Sequence, residues 1–214
     1  MSLPLRPRKT PLQRRSAATV EALHGAVIQV LVGEGLARCT TTRVAERAGV
    51  SVGSLYQYYP NRDALLAAVL QRHLEDVARA VEQVCEAACG ASAAEMMQPL
   101  VRGFLKVKLA NPDESRALYA VAAERGGPAL VAQINGRMVA AVAGMLAAMR
   151  GPRLDDPQTV AAMVLGAMVG PVRALLEGHA PLALAGHLEK ELTCLTTAYL
   201  MARAASGPGG GSAG

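Results

Sequence analysis

Three tyrosines within four positions, Tyr56, Tyr58 and Tyr59, stand out in a chain with five tyrosines, one phenylalanine and no tryptophan. Ser51, Ser54 and Gln57 lie among them, and Thr41, Thr42 and Arg43 shortly before. Without an adjacent general base, these hydroxyls are not nucleophiles. They donate and accept hydrogen bonds, as do the amide and the guanidinium, and this suits phosphate oxygens and base edges. Gly53 adds a point where a backbone can approach a ligand closely.

Bond-breaking chemistry has little to stand on. His187 and Glu189 are two apart and fall on different helix faces, and His73 and His179 are isolated. No serine-hydrolase elbow, zinc-protease helix, P-loop or dinucleotide fingerprint occurs. Cys85 and Cys89 are four apart and could share a helix face, either as a redox pair or as two buried thiols. No second pair or histidine cluster completes a tetrahedral zinc set. No enzyme, metal or cofactor is expected. Four cysteines without a secretory segment fit reduced thiols and a cytoplasmic location. The longest uncharged apolar run, residues 160–172, is shorter than the roughly 20 residues of a spanning helix, and it contains Pro171. No membrane segment is expected.

Charge is unevenly distributed. Residues 1–62 carry nine Lys/Arg against three acids, while the whole 214-residue chain has a net charge of only +5. A basic end on a near-neutral body is the electrostatic footprint of a nucleic-acid or anionic-surface contact. Residues 1–15 hold three prolines and five basic residues (Arg6, Arg8, Lys9, Arg14 and Arg15) and read as a flexible arm.

These side chains need positioning, and the elements are all helical. Half the chain is apolar, rich in the helix formers Ala and Leu. Val20, Leu23, Val27, Val30 and Leu31 make the stripe of a first helix over about 16–34. Thr40 is placed to cap a second, Gly49 to stop it and Ser51 to cap a third ending near Tyr59. Two short helices joined by a glycine turn are a helix-turn-helix. Leu55 and Tyr59 share the inward face, and Ser54, Gln57 and Tyr58 another. A long fourth helix should run from Asn61 or Arg62 towards Gly90. Ser92 and Glu95 form a capping-box pattern for a fifth. Four more are expected over 113–125, 128–150, 157–177 and 182–205, about nine in total, and a disordered tail over 206–214.

Thr41, the runs Val44-Ala45 and Ala48-Gly49-Val50-Ser51, then Gly53-Ser54-Leu55-Tyr56 with Tyr59 and Asn61-Arg62, resemble the DNA-binding domain of the tetracycline-repressor (TetR) family over residues 16 to about 76. The resemblance implies a three-helix DNA-binding domain followed by a larger helical domain, over 77–205, that dimerises and binds a ligand. It implies that Thr41, Thr42 and Arg43 meet DNA at the start of the second helix. Ser51, Val52, Gly53, Ser54 and Gln57 would face the major groove. Tyr56 and Tyr58 would anchor the DNA backbone, Tyr59 would be a core aromatic, and Arg62 would hold a phosphate.

In the body, methionines and few aromatics suggest an adaptable apolar pocket, with Met97, Phe104, Tyr119, Met138 and Met168 as lining. Residues 160–176 are apolar on nearly all faces, with Gly166 and Gly170 four apart, and Leu188, Leu192 and Leu195 lie along the last helix. The family pattern makes these two helices a dimer interface. The reading is a homodimeric repressor that leaves a palindromic operator when an apolar small molecule binds. Two alternatives are a non-specific basic-armed DNA- or membrane-binding module and a regulator switched through Cys85 and Cys89.

Overall fold

The computed structural model describes residues 14–205. These residues divide into two compact units, one running up to residue 75 with 113–132 added and one of residues 76–112 with those from 133 onward.

The first unit contains α1 (Arg14–Glu34), a 3-10 turn (Leu36–Arg38), α2 (Thr41–Arg47), α3 (Val52–Tyr58), the first half of α4 (Arg62–Ala87), α6 (Pro112–Ala122) and the start of α7 (Gly127–Ala147). Leu23, Ala26, Val27, Val30 and Leu31 recur at helical spacing on α1 and are buried, as an amphipathic helix requires. They meet Val44 and Ala45 of α2, Leu55 and Tyr59 of the α3 end, and Leu65, Leu66, Val69 and Leu70 of α4. Each short helix is started by its cap. The Thr40 hydroxyl accepts from the Arg43 N–H at 3.2 Å, and the Ser51 hydroxyl from the Ser54 N–H at 3.0 Å. Such caps contribute about 1 kcal/mol each. Between them Gly49 adopts φ 68°, a left-handed geometry that costs any other residue about 1 kcal/mol or more.

The second unit contains the latter half of α4, α5 (Ala93–Lys108), the rest of α7, α8 (Pro157–Leu176), α9 (Leu182–Ala185) and α10 (Leu188–Ala205). The capping box at Ser92 and Glu95 forms as its spacing suggests, with the Ser92 N–H donating to Glu95 at 2.8 Å. α10 packs along α5 and α8. Gly103 of α5 lies so near α4 that a Cβ there would stand 2.8 Å from the Val84 side chain.

Four expectations need correction. The last helix is two, so the described residues hold ten α-helices. Gly186 interrupts it, and the His187 N–H donates to the Leu184 carbonyl three residues back, a turn rather than a helical bond. Helix α1 begins at Arg14, so Arg14 and Arg15 start a helix rather than end the arm. Arg6, Arg8, Lys9 and residues 206–214 lie outside the described residues. A division at residue 76 misses α6, whose Leu118 and Val121 complete the core of the first unit. Finally, residues 16–34, α7 and α8 are long and apolar enough, by length and composition alone, to cross a membrane. Counting uninterrupted apolar runs missed them because a few polar residues break each run. Leu23, Val142 and Val164 show that all three also bury side chains in the packed cores.

Candidate nucleic-acid interface

The three tyrosines take three different partners. Tyr59, the C-cap of α3 and 3% exposed, bonds its hydroxyl to His24 Nε2 of α1 at 2.7 Å. Burial pushes its phenol up to about 12. Tyr58, half-buried, accepts a hydrogen bond from the Ser16 hydroxyl of α1 at 3.1 Å, which leaves its own O–H able to donate outward. Tyr56, 40% exposed, is 3.1 Å from the Thr41 hydroxyl of α2. The ring of Tyr56 thus bridges the two helices at the surface, and Tyr59 fixes the end of α3 from beneath.

Around Tyr56 the same face presents Ser51, Gly53 and Gln57, all exposed, with Val52 and Ser54 half-buried. Thr42 and Arg43 are exposed at the start of α2, and Thr41 is half-buried there. Local sequence explains this arrangement. Leu55 and Tyr59, four apart, turn inward, so the intervening positions turn out.

Two arginines have partners within the protein. Arg62 is committed to the protein. Its Nε donates to the Cys39 carbonyl at 2.7 Å and its Nη2 to the Leu36 carbonyl at 2.8 Å, with Glu124 3.8 Å from Nη1. It holds the 3-10 turn ahead of α2, a structural task beside the phosphate contact expected of it. Arg43 lies on the surface, but its Nε meets both carboxylate oxygens of Glu34 at 3.0 Å and its Nη1 meets Glu46 at 3.0 Å. Arg47 Nη2 approaches the same Glu34 at 3.5 Å. The Arg43 hydrogen bond, aided by the charges of Arg43, Arg47 and Arg38, holds the Glu34 carboxyl below the usual range. Glu34, Arg47, Ser16 and His24 went unnoticed in the sequence. Their partners stand on other helices, and no local spacing marks them.

The candidates of the body also separate. Met97, Phe104, Met138 and Met168 are buried in the second unit, whereas Tyr119 belongs to the first. Leu188 and Leu192 are 2% exposed and pack inside the second unit, which removes them from any outward interface. Leu195 is 52% exposed, and Gly166 and Gly170 are open, with nothing within 4 Å of an added Cβ. Burial, with the acids Glu82 and Glu86 adding to it, pushes the Cys85 thiol up to about 11, so at neutral pH it lacks the thiolate that exchange needs. Among the described residues no group of three or more metal-binding side chains is gathered.

A capped helix-turn-helix that displays threonine, glutamine and tyrosine from an all-helical chain is the architecture of a DNA-binding regulator. Residues 26–69 match the bacterial regulatory proteins of the tetR family. Residues 92–200, just over half of the 214-residue chain, match the tetracyclin repressor-like C-terminal domain. The chain belongs to the TetR family of bacterial transcriptional regulators, which are DNA-binding proteins and not enzymes. Among curated proteins it is similar to the nucleoid occlusion factor SlmA of Haemophilus ducreyi, 34% identical over 67 residues that make up 29% of this chain and 33% of that protein. The chain spans about a third of the length of such curated relatives. A solved candidate TetR-family regulator from Mesorhizobium loti has a TM-score of 0.73 at 18% identity, covering 89% of this chain and 98% of that one. The multidrug binding protein EbrR, solved with imidazole, has a TM-score of 0.62 at 20% identity, covering 84% and 93%. At these identities the two structures share the fold.

Proposed function

We propose that the protein is a homodimeric repressor that reads a two-fold symmetric operator with α2 and α3 and releases it when an apolar small molecule enters the helical body. The observation that carries this reading is the outward display of Thr42, Tyr56 and Gln57, with Ser54 and Tyr58 half-buried at its margin, on a helix pair capped and tied to α1. Gln57, Ser54 and Val52 are assigned to bases, and Thr41, Thr42, Tyr56 and Tyr58 to backbone phosphates. Arg62 supports this surface from behind.

The dimer is assigned to the outward faces of α8 and α10. Met163, Leu195 and Met201, at 56%, 52% and 58%, are the most exposed large apolar side chains among the described residues, and an exposed apolar patch is more informative than any single such residue. Gly166 and Gly170, and the exposed Cys194, Ala198 and Ala202, extend this face with small residues. A two-fold dimer would cover such a self-complementary patch. The effector is assigned to the core around Met97, Phe104, Met138 and Met168, where methionines can rearrange about an apolar guest. The fold shared with EbrR, a multidrug binding protein, supports a small-molecule role.

Footprinting on DNA from the neighbourhood of the gene tests the reading. Protection of a palindrome, relieved by an apolar compound that also raises the melting temperature, is expected. Compounds that stabilise the protein while leaving protection intact would remove the release step.

A further inference from the structure

Glu34 lies at the end of α1, ahead of the turn into α2, and its side chain is 18% exposed. It is the hub of a four-residue cluster. Arg43 donates from Nε to both of its oxygens at 3.0 Å and from Nη1 to Glu46 at 3.0 Å, and Arg47 approaches it at 3.5 Å. Two positive and two negative charges therefore pair at the base of α2, with the Arg38 charge also acting on Glu34 from the preceding 3-10 turn. Both arginines are 45% exposed. Without the two acids they would present an accessible guanidinium pair beside the helix-turn-helix.

We propose that Glu34 is a specificity-determining residue that holds Arg43 and Arg47 in a neutral cluster and so restrains binding to arbitrary DNA backbones. The physical argument is one of competition. Backbone attraction supplies nearly all of non-specific binding, through the cations that neutralise phosphates. A guanidinium already gripped by a carboxylate must exchange one anion for another, and the net gain is small. At the operator, base contacts fix the register and bring a phosphate to a defined place, where it can displace Glu34. On other sequences the register wanders and the internal pair persists. Specificity is a difference of affinities, and weakening the unwanted complex raises it.

The inference rests on the reading of α2 and α3 as the DNA surface. It is tested on the full-length protein with operator and random duplexes over a salt series. Glu34→Gln should tighten binding to random duplex by about fivefold. The slope of log K against log salt should steepen by roughly one per arginine released. Operator affinity should rise less, so the ratio falls. Glu21→Gln makes the same charge change but breaks a pair with Arg72 of α4, and it should have a smaller effect on both counts. Adding Arg43→Ala and Arg47→Ala to Glu34→Gln should return random-duplex binding to the wild-type level or below. Circular dichroism and melting confirm that each variant is folded. Weaker binding by Glu34→Gln would mean that Glu34 orients Arg43 for DNA, and would overturn the proposal. So would an equal effect of Glu21→Gln, or an unchanged specificity ratio. Failure of the wild type to bind any DNA would instead overturn the assignment of the surface.

Discussion

Gln57 and Tyr58 are neighbours in sequence, yet the structure separates what each can do. Gln57 is exposed and uncommitted to a neighbouring helix, while Tyr58 is half-buried with its oxygen already accepting from Ser16. Tyr58→Phe should therefore weaken operator and random DNA alike in a gel-shift titration. Gln57→Ala should cost about 1–3 kcal/mol on the operator alone and relax specificity at one position. Arg62 makes a contrasting case. Its removal leaves the Cys39 carbonyl without its guanidinium donor and the Leu36 carbonyl with only the Cys39 N–H, at a cost of about 1–3 kcal/mol. Arg62→Ala should lower the urea midpoint before any DNA is added. A variant of unchanged stability that had lost only DNA affinity would leave Arg62 with the phosphate role alone. The motif around Arg62 was legible, but its partners were not, because they lie 23 and 26 residues back along the chain.

At the scale of elements, α3 is held to α1 by the buried pair of Tyr59 and His24, and this tie is sensitive to protons. Burial, and secondarily the Arg72 charge, lowers the His24 pKa, with Glu21 partly opposing. Nδ1 is buried without a hydrogen-bond partner, so protonation would leave a charge with no acceptor at that atom. The unfolded imidazole titrates near 6.5. Below that pH the unfolded chain takes up a proton that the folded one resists. The contribution of His24 to stability is complete above about pH 6.5 and declines as the pH falls towards the lowered folded pKa. Urea melts at pH 7.5 and 5.5 should show this loss. His24→Phe should show a smaller difference between the two, and an unchanged difference would assign the pH dependence to other groups. Helix starts were the most legible features, because Thr40, Ser51 and the Ser92–Glu95 box act within three residues. The break at Gly186 was not. A single glycine costs about 1 kcal/mol in a helix, a bias that packing can override in either direction.

At the scale of the whole molecule, the exposed apolar face of α8 and α10 predicts the oligomer. Met163→Glu with Leu195→Glu should sediment as a monomer at micromolar concentration while retaining its helical signal. Gly170→Leu gives a sharper version. Nothing lies within 4 Å of its added Cβ in one chain, so the protomer should fold normally and the dimer should weaken by about 1–3 kcal/mol. A wild-type protein that sediments as a monomer would sink the assignment. The outward choice between Leu195 and the pair Leu188 and Leu192 could not be read from a stripe of leucines, since both faces of α10 are apolar. The place of α6 was equally hidden, because sequence order put Leu118 and Val121 far from the residues they cover. That placement sets a rule for anyone building hybrid regulators. A transplant cut after residue 76 would carry the recognition surface but leave behind two core side chains, each worth about 1.5–3 kcal/mol of burial. The recipient would inherit an open wound over Leu66 and Leu70, so a working graft has to bring residues 113–132 along as a second, non-adjacent piece.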